Sequence, residues 1–331
     1  MRKGILFIIL SAFIAVGAFS VANKPNAYAS AQAEIAMELS TGKVLLKGNS
    51  DAKLPMASTT KILTAIIIIE DCNLDEVIVV PDEAVGAEGS SIYLKKGEKI
   101  DIRDLLYGLM LRSGNDSAAA LAIHHSGSIE KFAEVMNERA KKYGAENSNF
   151  KNPSGLPDNE HYTTASDLCK IACHAMKNEV FGKIVSTTNY NGKYRSYANK
   201  NKMLHLYEGA NGIKTGYTLK AGRCLVSSVK RDDMNVVCVV LNCPDMYERS
   251  GKIFDYCFKN FKLLKIDKNK VFMCDRIPCK LSNDTNIVVN TNGNLDYKVT
   301  PIQSEDNAVA ELEIYNENSL IFSGKLYSIN A

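Results

Sequence analysis

Lys61-Ile62-Leu63-Thr64-Ala65 runs straight into the apolar residues 66–69, and no other stretch restricts the fold of this chain as strongly. A run this apolar reads as a helix buried on all sides, and it takes Lys61 into the interior with it. Ser58 lies three residues earlier, at the start of the same helix. That spacing puts both side chains on one face about one turn apart, so the amine can reach the hydroxyl. A buried lysine is driven toward its neutral form, because a low-dielectric surrounding disfavours the ammonium. A neutral amine can take a proton, and a serine hydroxyl is a poor nucleophile until a neighbour does so. Taken alone, Ser-x-x-Lys occurs by chance in most long sequences and reads as an N-capping serine followed by a solvated lysine.

Two further segments change that balance. Ser113-Gly114-Asn115 follows the helical pattern of residues 105–111 and precedes the small, helix-forming run 117–123, so it reads as a turn between two helices. Lys214-Thr215-Gly216 precedes two β-rich segments, 224–229 and 235–241, joined at Arg231-Asp232-Asp233-Met234 in a hairpin. By themselves these are an ordinary glycine turn and a strand end with an exposed lysine. Together with Ser58 and Lys61 they outline a serine acyl-transfer site that uses lysine as its base. Lys214 is the candidate for a second cation lowering the Lys61 pKa, and the helix N-terminus favours negative charge developing near Ser58. Gly216 lets a substrate backbone lie close against the strand.

Ser-x-x-Lys, Ser113-Gly114-Asn115 and Lys-Thr-Gly in this order resemble the low-molecular-mass penicillin-binding proteins that act as D-alanyl-D-alanine carboxypeptidases, serine peptidase family S11. The resemblance covers residues 31–263 and includes Leu54-Pro55-Met56-Ala57, Asn152-Pro153-Ser154-Gly155-Leu156 and His161-Tyr162-Thr163-Thr164-Ala165. It implies an α/β, transpeptidase/β-lactamase-like antiparallel sheet flanked by helices, with a small C-terminal all-β domain. It further implies that Ser58 attacks the carbonyl between the last two D-alanines of a peptidoglycan stem peptide while neutral Lys61 takes its proton. Ser113 and Lys214 would pass a proton to the leaving D-alanine, and Asn115 would orient Lys61 and the substrate amide. Backbone N–H groups of Ser58 and Tyr217 would form the oxyanion hole. Thr215 would bind the terminal carboxylate, and Arg249 is a second candidate for it, weighed against a plain helix-surface charge. Tyr217 departs from the histidine often found there, which alters cleft shape more than chemistry because the contact is through the backbone.

β-Lactams would then be covalent inhibitors, and the process served would be cell-wall biogenesis and cell shape. No cofactor and no metal are expected. A β-lactamase shares the motifs, but the nearest acid, Glu146, does not resemble the glutamate that class A enzymes add. A non-catalytic wall-binding or β-lactam-sensing protein remains the alternative from a different class, and it would be expected to lack one of the catalytic side chains.

The chain has 331 residues, enough for a sizeable core and a second small domain, and its net charge of +3 with no basic run argues against nucleic acid. Arg2 and Lys3 precede the apolar residues 5–21, and Ala27-Tyr28-Ala29 supplies a small-residue site. This reads as a signal peptide over 1–29, cut before Ser30, against the alternative of an uncleaved anchor. The enzyme would work outside the cytoplasmic membrane, secreted or associated with the wall. The sequence closes on Ser328-Ile329-Asn330-Ala331 without the amphipathic helix that membrane-anchored members carry, which leaves membrane contact open.

The catalytic domain is expected over 30–263, opening with a hairpin around Ser40-Thr41-Gly42-Lys43, and the β-rich domain over 264–331. Nine cysteines, an odd count, are scattered as small buried apolar residues, with a Cys274–Cys279 disulfide possible. Of five histidines none sits in a triad context, and His161 reads as structural or cleft-lining.

Overall fold

A computed structural model describes residues 31–329, so the expected leader and its cleavage point lie outside the described residues. The first hairpin joins β1 (Ala33–Glu38) to β2 (Val44–Gly48). Its turn is held by the Glu38 carboxylate, which accepts from Ser40 Oγ, the Thr41 N–H and Thr41 Oγ1, each at 2.8 Å. A helical block follows: α1 (Lys61–Asp71), the short pair β3 (Val77–Val79) and β4 (Lys99–Asp101), α2 (Ile102–Tyr107), α3 (Asn115–Ser126), α4 (Ile129–Lys142), α5 (Ala165–Met176) and α6 (Glu179–Ser186). Helices α2, α4, α5 and α6 start where the sequence supplies caps: Asp101, Ser128, Thr164 and Asn178 each accept a first-turn backbone N–H. Such a cap contributes about 1 kcal/mol.

A small hairpin, β5 (Asn189–Asn191) and β6 (Ser196–Ala198), and the single turn α7 (Met203–Leu206) lead into β7 (Ala210–Thr218), β8 (Gly222–Arg231) and β9 (Met234–Leu241), then α8 (Met246–Asn260). The main sheet has the order β2-β1-β9-β8-β7 and is antiparallel throughout. Alternation along its strands separates two cores. Ile35, Val226, Val237 and Val239 pack with α1 and the helical block, whereas Leu225, Val236, Cys238 and Val240 pack with Ile253 and Phe254 of α8. Covering both faces explains why residues 236–241 are continuously apolar where a half-exposed strand would alternate. Helix α1 sits inside the first core, with every residue from Lys61 to Ile68 buried.

Strand β10 (Phe261–Ile266) follows α8 with no linker and runs across the expected boundary at 264. It pairs with β13 (Thr285–Asn290), while β11 (Phe272–Cys274), β12 (Ile277–Leu281), β14 (Leu295–Pro301), β15 (Ala308–Asn316) and β16 (Ser319–Ser328) form a second five-stranded sheet in the order β11-β12-β16-β15-β14. Ala310, Leu312, Ile314 and Leu326 fill its own core. The possible Cys274–Cys279 disulfide is not formed, and all nine cysteines are free. In the β11–β12 register Phe272 faces Cys279 and Cys274 faces Ile277, so the two thiols stand diagonally rather than opposite, each packed as an apolar residue. Among the described residues no helix is long and apolar enough to cross a membrane.

Candidate active site

Ser58 stands on a tight 3-10 turn, Ala57–Thr60, that feeds directly into α1. Ala57 takes φ +49°, a left-handed conformation that an L residue adopts at a cost of about 1 kcal/mol. Side chains within the turn hold it there: Thr59 Oγ1 donates to the Met56 carbonyl at 2.6 Å and Thr60 Oγ1 to the Ala57 carbonyl at 2.9 Å. Two glycines let neighbouring backbone close on the turn. A β-carbon on Gly155, itself at φ +85°, would stand 1.9 Å from the Ala57 carbonyl oxygen. One on Gly216 would stand 3.0 Å from the Met56 oxygen and 3.1 Å from the Ser58 nitrogen. The glycine of Lys-Thr-Gly therefore brings β7 against the protein's own serine turn, besides leaving room for a ligand.

Lys61 is fully buried, and its Nζ lies 3.1 Å from Ser58 Oγ, 2.6 Å from Asn115 Oδ1 and 2.5 Å from the Ser154 carbonyl oxygen. Asn115 is fixed in turn, its backbone N–H donating to the Ser90 carbonyl at 2.7 Å and its Nδ2 to the Glu88 carbonyl at 2.5 Å. The Ser154 carbonyl is presented by an Asx turn in which Asn152 Oδ1 accepts from the backbone of Ser154, Gly155 and Leu156. Thr64 Oγ1 pins this loop to α1 through the Pro153 carbonyl at 2.7 Å. Ser113 closes the π-turn Gly108–Arg112 at φ +67°, which turns the chain into α3 and brings its side chain to the cleft.

Burial is the main cause that holds the Lys61 amine well below its ordinary pKa, the Lys214 charge adds to the depression, and Asp116 opposes it. Lys214 is itself buried, donates to the Thr215 carbonyl at 2.9 Å, and is lowered to about 7 by burial and then by the Lys200 charge. Asp116 has no cationic partner within bonding distance among the described residues. Its carboxylate instead accepts from Ser91 Oγ at 2.6 Å and from the N–H groups of Ile92, Leu94 and Ser117 at 2.9–3.0 Å. It thus ties the loop over residues 88–94, which carries Ser90, to the start of α3.

These groups meet at a cavity of about 460 Å³ lined by Ser58, Ser113, Thr215, Gly216 and Tyr217 together with Ser90, Lys200, Arg223, Met246 and Tyr247. It opens along β7, the edge strand of the main sheet. Tyr217 turns its ring outward, 62% exposed. His161 lies behind the serine turn, not in the cleft. Its Nδ1 must accept, because the Lys151 backbone N–H donates to it at 3.0 Å, so Nε2 carries the proton and donates to Thr60 Oγ1 at 2.8 Å. Burial lowers its pKa to about 4. No group of three or more His, Cys, Asp or Glu that could hold a metal occurs among the described residues.

Arg249 does not line this cavity. It sits on the side of α8 that faces β1, and its guanidinium is engaged bidentately by Glu34, Nε to Oε2 at 2.7 Å and the second nitrogen to Oε1 at 2.5 Å. Arg249, expected as the second candidate for the substrate carboxylate, thus stands outside the cavity lining and pairs with Glu34 through two of its five N–H donors. Sequence reasoning passed over Ser154, Asp116, Lys200 and Arg223. Only Ser154 carried a local sign, the Asn-Pro-Ser-Gly turn around it.

Residues 20–245 match the family model of peptidase family S11, D-alanyl-D-alanine carboxypeptidase. The chain is 34% identical over 251 residues to the D-alanyl-D-alanine carboxypeptidase DacF of Bacillus subtilis, an alignment that spans 70% of this chain and 63% of that relative. It is 30% identical over 300 residues to DacA of Haemophilus influenzae, spanning 82% of this chain and 76% of DacA. The crystal structure of the carboxypeptidase DacD from Francisella tularensis superimposes with a TM-score of 0.76 at 25% identity, over 96% of this chain and 98% of that one.

Proposed function

Because the chain belongs to the D-alanyl-D-alanine carboxypeptidase family of S11 peptidases and is a hydrolase of that type, we propose that it removes the terminal D-alanine from peptidoglycan pentapeptide stems through an acyl-enzyme on Ser58. The observation that carries the reading is the environment of Lys61 Nζ. A neutral amine has two N–H donors and one lone pair. The Asn115 and Ser154 oxygens, at 2.6 and 2.5 Å, take both donors and leave the lone pair for the Ser58 hydroxyl.

Ser58 Oγ then attacks the penultimate D-alanine carbonyl as its proton moves to Lys61, and the oxyanion forms against the backbone N–H groups of Ser58 and Tyr217. Collapse breaks the C–N bond. The leaving amine takes a proton relayed through Ser113 and Lys214, and water repeats the sequence on the ester to release the acid and restore the serine. A β-lactam enters by the same attack and stays as an acyl-enzyme. Hydrolysing that adduct quickly would call for a carboxylate near the ester, and none lines the cavity; Glu146 is exposed in a loop elsewhere. Purified protein should therefore release D-alanine from a peptide ending in D-Ala-D-Ala and carry a long-lived penicillin adduct by mass spectrometry. Rapid turnover of penicillin with no D-alanine release would show a β-lactamase instead, and no adduct with no release a binding protein.

Two substitutions should move the acid limb of the kcat/KM profile in opposite directions. The base must be neutral, so this limb follows the Lys61 pKa. Lys214→Gln removes a charge that depresses it and should shift the limb to higher pH. Asp116→Asn removes one that raises it and should shift the limb to lower pH. Parallel shifts would show that the limb belongs to another group.

The reading places the enzyme outside the cytoplasmic membrane, on the strength of Arg2, Lys3, the apolar residues 5–21 and Ala27-Tyr28-Ala29. N-terminal sequencing of protein from producing cells should give Ser30; an N-terminus near Met1 in a salt-washed membrane pellet would mean that the segment is kept as an anchor.

A further inference from the structure

We infer that the outer edge of strand β5, with the cavity beside it, is a docking site for an extended, acidic peptide segment of another protein, taken up as an added β-strand. In the β5–β6 hairpin the Gly192 N–H donates to the Arg195 carbonyl at 2.8 Å and the Asn199 N–H to the Thr188 carbonyl at 2.7 Å. Those two bonds set the parity of an antiparallel ladder, in which alternate residues face the partner strand. Tyr190 therefore bonds across to Tyr197, whereas Asn189 and Asn191 turn their N–H and C=O groups away from β6. Among the described residues nothing bonds these four backbone groups, nor the two asparagine side-chain amides. A strand edge in this state is a template for another strand.

The space outside that edge is shaped and charged for one. A cavity of about 520 Å³ lies between β5, α2 and α6, with Tyr107 and Ile184 as its buried floor, Arg103 and Lys183 in its lining, and no carboxylate there. The Lys183 amine has no partner among the described residues. Asp75 holds Nε and one terminal nitrogen of Arg103, at 3.2 and 2.7 Å, and leaves the other terminal nitrogen unbonded. Cations without an internal anion select a segment that brings Asp or Glu, and the apolar floor takes the side chains that alternate with them. Asn189 and Asn191 stand about 7 Å apart, the spacing at which an extended chain of L-residues presents its successive edge groups. The edge is held in shape in advance: buried Asp104 accepts the Tyr190 hydroxyl and the N–H groups of Tyr194 and Arg195, at 2.6 and 3.2 Å for the last two, so little ordering is left for binding to impose. Other free edges lack this combination. That of β7 is the catalytic cleft, and the cavity beside β3 is lined by Glu76, which meets His124 at 3.6 Å.

The test titrates the purified protein with a fluorescein-labelled probe, Glu-Val-Glu-Val-Glu blocked as its amide. Fluorescence anisotropy should rise to saturation and weaken with added salt, and hydrogen exchange should slow at the Asn189 and Asn191 amides. Asn191→Pro removes one outward donor and none of the hairpin's own bonds, and should weaken binding about 5- to 10-fold. Lys183→Glu should weaken it about 10-fold, and being a surface change on α6 it carries the test if the proline variant fails to fold, which thermal unfolding of both variants checks. No saturable binding at millimolar probe would overturn the inference. So would equal binding by a Lys-Val-Lys-Val-Lys counterpart, or full binding by a probe methylated at alternate backbone nitrogens. Displacement of the probe by a soluble peptidoglycan stem peptide that protects the same two amides would overturn it too, by giving the cavity to the wall.

Discussion

Ser58→Ala should release D-alanine at least about 10⁴-fold more slowly than the wild type, and should take up no penicillin covalently. The hydroxyl is the only acyl acceptor the mechanism provides. The substitution should leave folding unchanged, because Ser58 Oγ bonds no group other than Lys61 among the described residues. The turn that presents it is held by Thr59, Thr60 and the close approach of Gly155, none of which depends on the serine oxygen. Thermal unfolding and intact-mass spectrometry after penicillin check both halves. A labelled Ser58→Ala protein would move the nucleophile elsewhere, with Ser113 the first residue to examine.

Lys61→Arg, although it keeps the charge, should be as damaging as Lys61→Ala, each lowering acylation by about 10²- to 10⁴-fold. A guanidinium does not become neutral in a protein, so it cannot accept the serine proton. It also places a permanent charge in a buried site beside the like charge of Lys214, with Asp116 as the acid that offsets it. The Arg variant should therefore be the less stable of the two as well. Burst-phase acylation with a chromogenic β-lactam, measured beside thermal unfolding, separates the effects; near-normal acylation by Lys61→Arg would mean that the lysine acts only as a fixed charge.

The acylation apparatus was legible in the sequence because most of it is local. Ser58 and Lys61 occupy one helical turn, and Ser113 and Asn115 flank one glycine, so neither relation depends on distant pairing. The rest was hidden for identifiable reasons. The third oxygen around the Lys61 amine is the main-chain carbonyl of Ser154, a group every residue carries. Asp116 looks like any acid in the first turn of a helix until the backbone N–H groups of Ile92 and Leu94 are seen to donate to it. The two arginines around the last hairpin of the main sheet, Arg223 and Arg249, are indistinguishable by local pattern. Which of them reaches the cleft is decided by Glu34, 215 positions away from Arg249 in sequence. Strands β5 and β6, three residues each, are too short to announce themselves by alternation. Strand β12 was read for its cysteine and not for its period of Ile277, Cys279 and Leu281.

The direct passage of α8 into β10 has a mechanical meaning. Val288, opposite Leu263 on the partner strand β13, is buried in the same core as Ile253 and Phe254 of α8, and Lys265 meets Asp233 of the β8–β9 turn at 2.5 Å. Swinging the small sheet would require unwinding the last turn of a helix and drawing an apolar side chain out into water. The C-terminal unit is therefore a strut and not a tethered appendage. It holds the C-terminal strands at one set place against α8 and the β8–β9 turn, much as a bracket holds a shelf to its post.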